Sequence, residues 1–400
     1  MTNNSKPLTI IEYREKHFPK EKINQEDGER LWRKFGKQIS VDEPSFKNNY
    51  QWVIKSLGYV GFIPVSEELS LSIQPKVPLQ NLFGMWEYAY KLDKIIDKED
   101  LYSAESMSDF HSKLANILAK RVINRSRKGF YRAYLSRTQK MSYLKGRLEP
   151  KHLINRPWDV DLQCTYDEIT ADVEENQILA WTLFTILRSK YCREEVLPNV
   201  RKAFRNIAQY ISLNPFSAQD CVKRFYSRLN NDYEPMHALC RFFLENSGPT
   251  YEIGGHKMVP FIIKMDQLFE KFVAEWLKTN LPENYRIETQ ESVNISSTHN
   301  IDFRIDLVLY DKVKKRPVCV LDTKYKDDLK PTPGDIEQAA FYALIKDCNK
   351  AVLIYPTDLE RPMKEVVKGI NIRSATFDLD GDLEQAGGEF LNELLEEIIV

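Results

Sequence analysis

The 400-residue sequence lacks the short motifs by which zinc proteins, disulfide-rich secreted proteins and nucleotide-binding proteins are recognised. Its six cysteines and six histidines are scattered, without a C-x-x-C pair or an H-E-x-x-H spacing. This excludes the common zinc sites and a disulfide framework, and favours reduced thiols. A G-x-x-x-x-G-K-[ST] loop is also missing, so any motion driven by nucleoside triphosphate must come from a partner.

Membrane and secretion signals are missing as well. No apolar run approaches the roughly 20 residues that cross a bilayer, and the first residues, MTNNSKPLTIIEYREKHF, do not resemble a secretory signal. We therefore expect a soluble cytoplasmic protein without a membrane partner. Net charge indicates no partner either, because Lys+Arg 57 against Asp+Glu 58 leaves a formal charge of −1.

What the sequence does contain indicates an α/β protein of two or three domains, at about 150 residues each. Its 42% hydrophobic residues are sufficient for packed cores. We expect a mixed α+β region over residues 1–160 and a helical region over 161–245. Residues 246–400 then form a third part with a mixed central sheet flanked by helices, because helix, three strands, helix, strand and helix follow in that order. The Gly-, Pro- and Ser-containing stretch NSGPTYEIGG (246–255) is the predicted linker.

Individual segments support this division. Alternation at Leu69, Leu71 and Ile73 predicts a strand, whereas YQWVIKSL fits a short strand or a helix equally. TYDEITADVEENQILAWTLFTILRSKY is predicted as a helix that opens with acidic residues, which the helix dipole favours. FIIKMDQLFEKFVAEWLKTNL is predicted as one amphipathic helix.

The strongest local charge imbalance lies between Lys120 and Leu148, where no acidic residue occurs. Such a stretch suits nucleic-acid phosphates or an acidic protein surface, and it equally suits a solvated pair of strands. The candidate binding residues are Arg121, Arg125, Arg127, Lys128, Arg132, Arg137, Lys140, Lys145 and Arg147.

The candidate catalytic residues lie in RIDLVLYDKVKKRPVCVLDTKYK (304–326), where each of two apolar runs carries one aspartate. If the hairpin turns near Lys314, Asp306 faces Asp322, and Lys324 points to the same side as Asp322. Two close carboxylates repel unless a cation lies between them. Mg²⁺ prefers such oxygen ligands, and a neighbouring lysine can stabilise charge in phosphodiester hydrolysis. The alternative is that the aspartates cap strand ends and Lys324 extends into solvent.

Three further residues are candidates for the same site. Gln338 and Tyr342 are four residues apart on a predicted helix and so share one side of it; alternatively, Asp335 and Gln338 form a capping box. Glu270 is a candidate third carboxylate, with an ordinary solvated glutamate as the alternative.

The ordered set of motifs resembles the McrC family, the nuclease subunits of McrBC modification-dependent restriction systems, and more broadly the PD-(D/E)xK nucleases. The matching pieces are GYVGFI, LSIQPKV, LKGRL, YDEITADVEENQIL, MDQLFEKFV, RIDLVLY, LDTKYK and DIEQAAFYAL. They span about residues 50–356, and the first 40 residues and the tail are unmatched. Ile305 stands where the broader superfamily has proline, which is not a metal ligand.

The resemblance implies a PD-(D/E)xK-like nuclease domain in the C-terminal part and a partner-docking role for the N-terminal part. It implies that Asp306 and Asp322 bind Mg²⁺, for which Mn²⁺ can substitute, with Glu270 as a further ligand. Lys324, Gln338 and Tyr342 would serve catalysis. The implied partners are a McrB-like AAA+ GTPase hexamer, whose GTPase this chain would stimulate, and double-stranded DNA. The resemblance associates such systems with 5-methylcytosine, but the sequence does not indicate which DNA is recognised, a task that the family places on the partner. A non-cleaving adaptor of an AAA+ ring and a stand-alone repair nuclease remain the alternatives.

Overall fold

A computed structural model describes residues 7–92, 106–150, 154, 158, 160–189, 191–248, 251–253, 256–294, 302–326 and 330–399. The chain forms two compact units, one of residues 1–110 with 246–400 and one of residues 111–245. The mixed α/β class is confirmed. The second unit ends where the predicted helical region ends, but it begins at residue 111 instead of 161. The assignment of docking, helical and nuclease roles to residues 1–160, 161–245 and 246–400 stays a prediction.

The N-terminal part of the first unit builds two small sheets. Its elements are β1 (Leu8–Ile11), β2 (Glu15–Phe18), α1 (Gln25–Phe35), β3 (Ile39–Asp42), β4 (Trp52–Ser56), β5 (Tyr59–Pro64), β6 (Ser70–Gln74) and α2 (Leu79–Tyr90), and a later strand, β12 (Phe261–Lys264), joins them. The strand orders are β2-β4-β3 and β1-β6-β5-β12. The segment that fitted strand or helix is the strand β4, and Leu71 and Ile73 of the predicted alternating strand are fully buried.

Strand β12 connects the C-terminal part of the chain to this N-terminal sheet by pairing antiparallel with β5. The prediction of one helix over FIIKMDQLFEKFVAEWLKTNL is wrong for its first four residues, because Phe261 and Ile263 alternate inward as strand residues. A β-carbon on Gly61, whose φ is +137°, would lie 2.1 Å from the carbonyl oxygen of Phe261. Glycine at this position therefore allows the two strands to pair.

The core of the C-terminal part is a six-stranded sheet. The elements are β10 (Tyr251–Ile253), β11 (His256–Met258), α7 (Met265–Asn280), β13 (Tyr285–Asn294), β14 (Asp302–Asp311), β15 (Arg316–Thr323), α8 (Pro333–Ile345), β16 (Lys350–Tyr355), β17 (Lys364–Val367), β18 (Ile370–Thr376) and α9 (Leu383–Ile399). The strand order is β13-β14-β15-β16-β18-β17. Strands β13 to β15 are antiparallel, whereas β15, β16 and β18 run parallel, so the predicted mixed sheet is confirmed. The strands β17 and β18 were not predicted.

The second unit combines helices with a three-stranded sheet. Its elements, with helix α3 beginning four residues before the unit, are α3 (Met107–Lys128), β7 (Ala133–Met141), β8 (Arg147–Leu148), β9 (Leu162–Thr170), α4 (Glu174–Arg188), α5 (Leu197–Ala208) and α6 (Tyr233–Glu245). The strand order is β7-β9-β8. Asp167 and Glu168, predicted to open a helix, lie in β9, and Glu174 and Glu175 fill the first turn of α4 instead. In the part of the chain that the structure describes, no helix is both long and apolar enough to cross a membrane.

Candidate active site

The two aspartates of the hairpin lie opposite each other at its open end. Leu307 pairs with Leu321 and Val308 with Val320, and this register continued by one residue places Asp306 across from Asp322. The register shifts only between Leu309 and Tyr310, close to the turn. The predicted facing of the two carboxylates is therefore what the structure shows.

Lys324 lies beside these carboxylates and is buried. Its Nζ atom is 2.5 Å from Oδ2 of Asp322, and the two side chains are 10% and 2% exposed. Its backbone amide donates to the carbonyl of Ile354 on the neighbouring strand at 2.8 Å. The interpretation in which Lys324 extends into solvent is wrong, because the lysine folds back along the sheet to meet Asp322.

Burial raises the pKa values of three acidic side chains at this position, and the charge of Asp306 adds to the shift for two of them, Asp322 and Glu270. Burial raises the pKa of Asp322 to about 6, with Lys324 opposing the shift and Asp306 adding to it. Burial also raises the pKa of Asp306, against the influence of Lys324 and hydrogen bonds from Thr323 and Asp322. The pKa of Glu270, on α7, rises to about 7 through burial and then through the charge of Asp306. Glu270 is half-buried and accepts a hydrogen bond from Gln290, so it is not an ordinary solvated glutamate.

These oxygen donors fit a hard divalent cation. Within the described ranges no group of three His, Cys, Asp or Glu side chains is placed to hold a metal ion. Mg²⁺ does not need one, since it usually keeps several waters and takes one or two carboxylates. Oδ2 of Asp322 is buried, and beyond its ion pair with Lys324 it has no hydrogen-bond partner among those same residues. A cation between Asp306 and Asp322, with Glu270 nearby, would stabilise the ionised forms that burial disfavours and would offset the repulsion of Asp306 on Asp322 and Glu270.

Helix α8 supplies the second side of the site. Nζ of Lys324 donates to Oε1 of Gln338 at 3.0 Å, and Nε2 of Gln338 donates to the hydroxyl of Tyr342 at 3.0 Å. The alternative of an Asp335–Gln338 capping box is wrong, because the helix is capped one turn earlier by Thr332 with Asp335 as its partner. Gln338 is therefore available to orient the lysine.

Asp335 was missed as a member of this site. It lies 3.5 Å from Nζ of Lys324 and 2.6 Å from Nζ of Lys326. Burial raises its pKa, but hydrogen bonds from Lys326 and Thr332 outweigh that and hold the pKa at about 2. The spacing Thr332-x-x-Asp335 could have indicated the cap, and Lys326, two residues after Lys324, could have indicated the ion pair.

The predicted basic stretch lies in the second unit and is divided between a helix and a sheet. Arg121, Arg125, Arg127 and Lys128 belong to α3, Arg132 follows it, Arg137 and Lys140 lie on β7, Lys145 precedes β8 and Arg147 begins it. Several of these charges already have partners. Arg125 pairs with Asp232 at 3.3 Å, Arg137 with Glu168 at 2.8 Å, and Nζ of Lys145 lies 3.8 Å from the ring centre of Tyr166.

Fold and site together define a mixed α/β protein whose central sheet carries a buried cluster of carboxylates around one lysine. The family model described as "McrBC 5-methylcytosine restriction system component" matches residues 54–356. The chain belongs to this family and is a component of a restriction system of the McrBC type. The resemblance to McrC that the ordered motifs indicated is confirmed.

Two relatives illustrate the likeness. The "Type IV methyl-directed restriction enzyme EcoKMcrBC" of Escherichia coli (strain K12) is 23% identical over 219 residues, which are 52% of this chain and 61% of the relative. The chain thus spans less than two thirds of that protein. A solved structure of McrB AAA+ hexamers with bound McrC from Thermococcus gammatolerans matches with a TM-score of 0.58 at 18% identity, covering 98% of this chain and 100% of the other. At this identity the match shows a shared fold.

Proposed function

We propose that this protein is the DNA-cleaving subunit of its restriction system, a metal-dependent endonuclease that acts with a GTP-driven AAA+ partner. The observation that carries the proposal is the buried contact of Lys324 with Asp322 and Gln338, beside the facing carboxylate of Asp306. A strand pair with two aspartates and a lysine fixed by a helix glutamine is suited to hydrolysis of a phosphodiester. A purely structural sheet would not bury these groups together.

Lys324 would act as a positive charge and hydrogen-bond donor. Burial lowers its pKa, but the charges of Asp322 and Asp335 outweigh this effect and raise the pKa above its usual value. The lysine therefore keeps its proton near neutral pH, so it is suited to hold a phosphate oxygen or the attacking water and to stabilise the charge of the transition state. It is not suited to remove a proton from water.

Asp306 and Asp322 would hold Mg²⁺, or Mn²⁺ in its place, with Glu270 as a third carboxylate. An ion held by these residues would supply a Lewis acid and would lower the pKa of the attacking water. Gln338 accepts from Lys324 while Tyr342 accepts from Gln338, so the helix fixes the direction in which the ammonium points. Tyr342 is only 7% exposed, so we assign it to orientation of Gln338 and not to direct contact with DNA.

The proposed partner is a McrB-like AAA+ GTPase hexamer. The solved relative is a complex of McrB AAA+ hexamers with bound McrC, and the present chain shares its fold over nearly its whole length. We further propose that residues 1–160 dock on the ring and stimulate its GTPase. The exposed members of the basic stretch, such as Arg127, Lys128 and Arg132, would contact either the ring or double-stranded DNA.

The test is cleavage of methylated and unmethylated plasmid with Mg²⁺, with and without the co-purified AAA+ protein and GTP. We expect cleavage only with partner, nucleotide and methylated DNA. Asp306→Ala should abolish it, whereas Asp302→Ala, an exposed change on the same strand, should not. Cleavage without any partner would instead indicate a stand-alone nuclease. Stimulated GTP hydrolysis without cleavage would indicate an adaptor.

A further inference from the structure

The chain directly after Lys324 is held by residues from the far N-terminal part of the sequence. Tyr325 is 3% exposed, and its hydroxyl donates to Oε2 of Glu12 at 3.0 Å. Glu12 is itself only 1% exposed. Burial raises the pKa of Tyr325 and the neighbouring Glu12 raises it further, so the hydroxyl keeps its proton and remains a donor.

Two more N-terminal residues hold the main chain at the same place. The hydroxyl of Tyr13 donates to the carbonyl of Tyr325 at 3.2 Å, and Nζ of Lys76 donates to the carbonyl of Lys326 at 2.8 Å. Nζ of Lys76 also lies 5.0 Å from the ring centre of Tyr13 and 4.7 Å from that of Tyr325, which are cation–π distances. We call Glu12, Tyr13, Lys76 and Tyr325 the strand-end clamp.

The strand-end clamp is anchored in the N-terminal sheet. The amide of Glu12 donates to the carbonyl of Gln74 at 2.9 Å, and the amide of Lys76 faces Oε2 of Glu12 at 3.4 Å. Tyr13 adopts the left-handed conformation with φ 60°. Its hydroxyl fits against Gly58, where a β-carbon would lie 2.4 Å away. The N-terminal residues of the clamp thus lie directly after strands β1 and β6 and contact the residue before β5.

The same sheet also reaches the helix that carries Glu270. The carbonyl of Gly58 accepts from the amide of Met265, the first residue of α7, at 3.0 Å. The ring of Phe269 on that helix lies 5.9 Å from the ring of Tyr325. N-terminal residues therefore contact two of the segments that carry candidate active-site residues, the chain after β15 and helix α7.

We infer that the strand-end clamp positions Lys324, so that Glu12, Tyr13 and Lys76 are positioning residues of the candidate active site. The inference rests on the proposed nuclease function. The backbone of Lys324 is held by Ile354 on one side, while the two carbonyls that follow it are held by the clamp. Loss of the clamp frees the strand end, and a misplacement of about 1 Å at a catalytic group can cost roughly 100-fold in rate.

The clamp gives the N-terminal part a second role. It would be part of the apparatus that cuts DNA as well as a docking surface, and a partner bound to it would have a direct path of contacts to the catalytic lysine. Residues 246–400 on their own would lack this support.

The test compares Tyr325→Phe, Glu12→Gln and Glu12→Ala in the full chain, with Tyr310→Phe as the matched control. Tyr325→Phe removes one hydroxyl but keeps the ring beside Lys76. Tyr310→Phe likewise removes a tyrosine–glutamate hydrogen bond from the same sheet, at Glu291, without touching the clamp. The amide oxygen introduced by Glu12→Gln can still accept from the hydroxyl of Tyr325, whereas the methyl group left by Glu12→Ala cannot.

Two readouts are needed: DNA cleavage with partner, GTP and Mg²⁺, and hydrogen–deuterium exchange of the peptide that covers residues 320–326. We expect Tyr325→Phe and Glu12→Ala to lower kcat at least fivefold with KM for DNA within twofold, and to speed exchange of that peptide. Glu12→Gln should keep most of the activity, and Tyr310→Phe should match wild type in both readouts.

Normal cleavage by Tyr325→Phe and Glu12→Ala, with wild type active, would overturn the positioning role. If wild type does not cleave at all, the proposed function fails. Hydrogen–deuterium exchange then tests by itself whether the clamp holds the chain after Lys324. Unchanged exchange of residues 320–326 in Tyr325→Phe would overturn the inference in that case, and faster exchange confined to the clamp variants would support it.

Discussion

The C-terminal sheet and the basic stretch of the second unit use charged residues in opposite ways. In the sheet, few charges lie within apolar strands, and they converge: Asp306, Asp322 and Lys324 are brought together from two strands and meet Gln338 on a helix. In the basic stretch many charges follow one another, yet the structure spreads them over α3, β7 and β8 and pairs several of them locally. Charges inside apolar strands thus marked a place where side chains converge, whereas a concentration of charge along the chain did not.

Lys324 is the charged residue of the sheet whose removal should have the largest effect. We expect Lys324→Ala to lower the cleavage rate by about 10²–10³-fold, because it removes a buried donor to the charge that develops in the transition state. Single-turnover cleavage with partner and GTP measures this. Arg125→Ala, which removes a paired charge of the basic stretch, is the control and should leave the chemical step unchanged. An equal loss of cleavage rate in Lys324→Ala and Arg125→Ala would mean that the sheet and the basic stretch do not differ in their contribution to the chemical step.

Gln338 should give a smaller effect. Gln338→Ala removes the acceptor that orients Lys324 but leaves the contact with Asp322, so we expect about a tenfold loss of cleavage, as for a general positioning contact. Glu337→Ala, an exposed change on the same helix, is the matched control. A Gln338→Ala enzyme with full activity would mean that the helix contributes only to the fold.

A pH experiment without metal tests the repulsion at the site. The pKa of Glu270 is raised to about 7, so the folded state prefers its protonated form. The contribution of Glu270 to the free energy of unfolding is fully present below the ordinary pKa of a glutamate, and it is lost as the pH rises through about 7. Glu270→Gln should therefore raise the free energy of unfolding by roughly 1–3 kcal/mol at pH 8 in EDTA, with no gain near pH 4.

With Mg²⁺ at pH 8, wild type should become more stable than Glu270→Gln. The ionised glutamate binds the cation more tightly than glutamine does, and binding to the folded state stabilises it. Denaturant unfolding of both proteins at the two pH values, with EDTA and with Mg²⁺, provides the measurement. A Glu270→Gln variant that is less stable than wild type at pH 8 in EDTA would contradict the assigned cause of the pKa shift.

The smallest effect is expected from the basic stretch. Replacing its exposed members Arg127, Lys128 and Arg132 by alanine should weaken association with the partner or DNA several-fold, with a shallower dependence on salt than wild type. Titration of each ligand at two salt concentrations distinguishes ring from DNA. Unchanged affinity for both the partner and DNA would mean that the basic stretch is an ordinary solvated surface.

The sequence predicted those parts of the structure that depend on local pattern. The strand alternation at Leu71 and Ile73, the stripe of α7 from Met265 to Trp276 and the facing of Asp306 and Asp322 follow from periods of two and 3.6 residues. The strand β12 was predicted as helix because its three apolar residues run directly into a helical pattern. Its pairing with β5, about 200 residues earlier, and with Ser247 gives it extended structure.

The parts that could not be predicted depend on contacts between distant residues. Nothing near Tyr325 in the sequence indicates that Glu12, Tyr13 and Lys76 hold it. In the same way, Asp335 and Gln338 have the spacing of a capping box. Only the structure shows that Thr332 caps the helix with Asp335, and that Gln338 accepts a hydrogen bond from Lys324. The sequence indicated the candidate catalytic residues and the helix pair Gln338 and Tyr342, whereas the contacts of Glu12, Tyr13 and Lys76 with the chain after Lys324 were visible only in the structure.

The most direct test of the proposed active site is Asp322→Ala, assayed for both DNA cleavage and stimulation of the partner's GTPase in the presence of Mg²⁺. The proposed active site predicts that cleavage is abolished while stimulation stays at the wild-type level, because Asp322 lies in the six-stranded sheet and not on the proposed docking region. Cleavage that persists in Asp322→Ala would contradict the assignment of this carboxylate cluster as the site of phosphodiester hydrolysis.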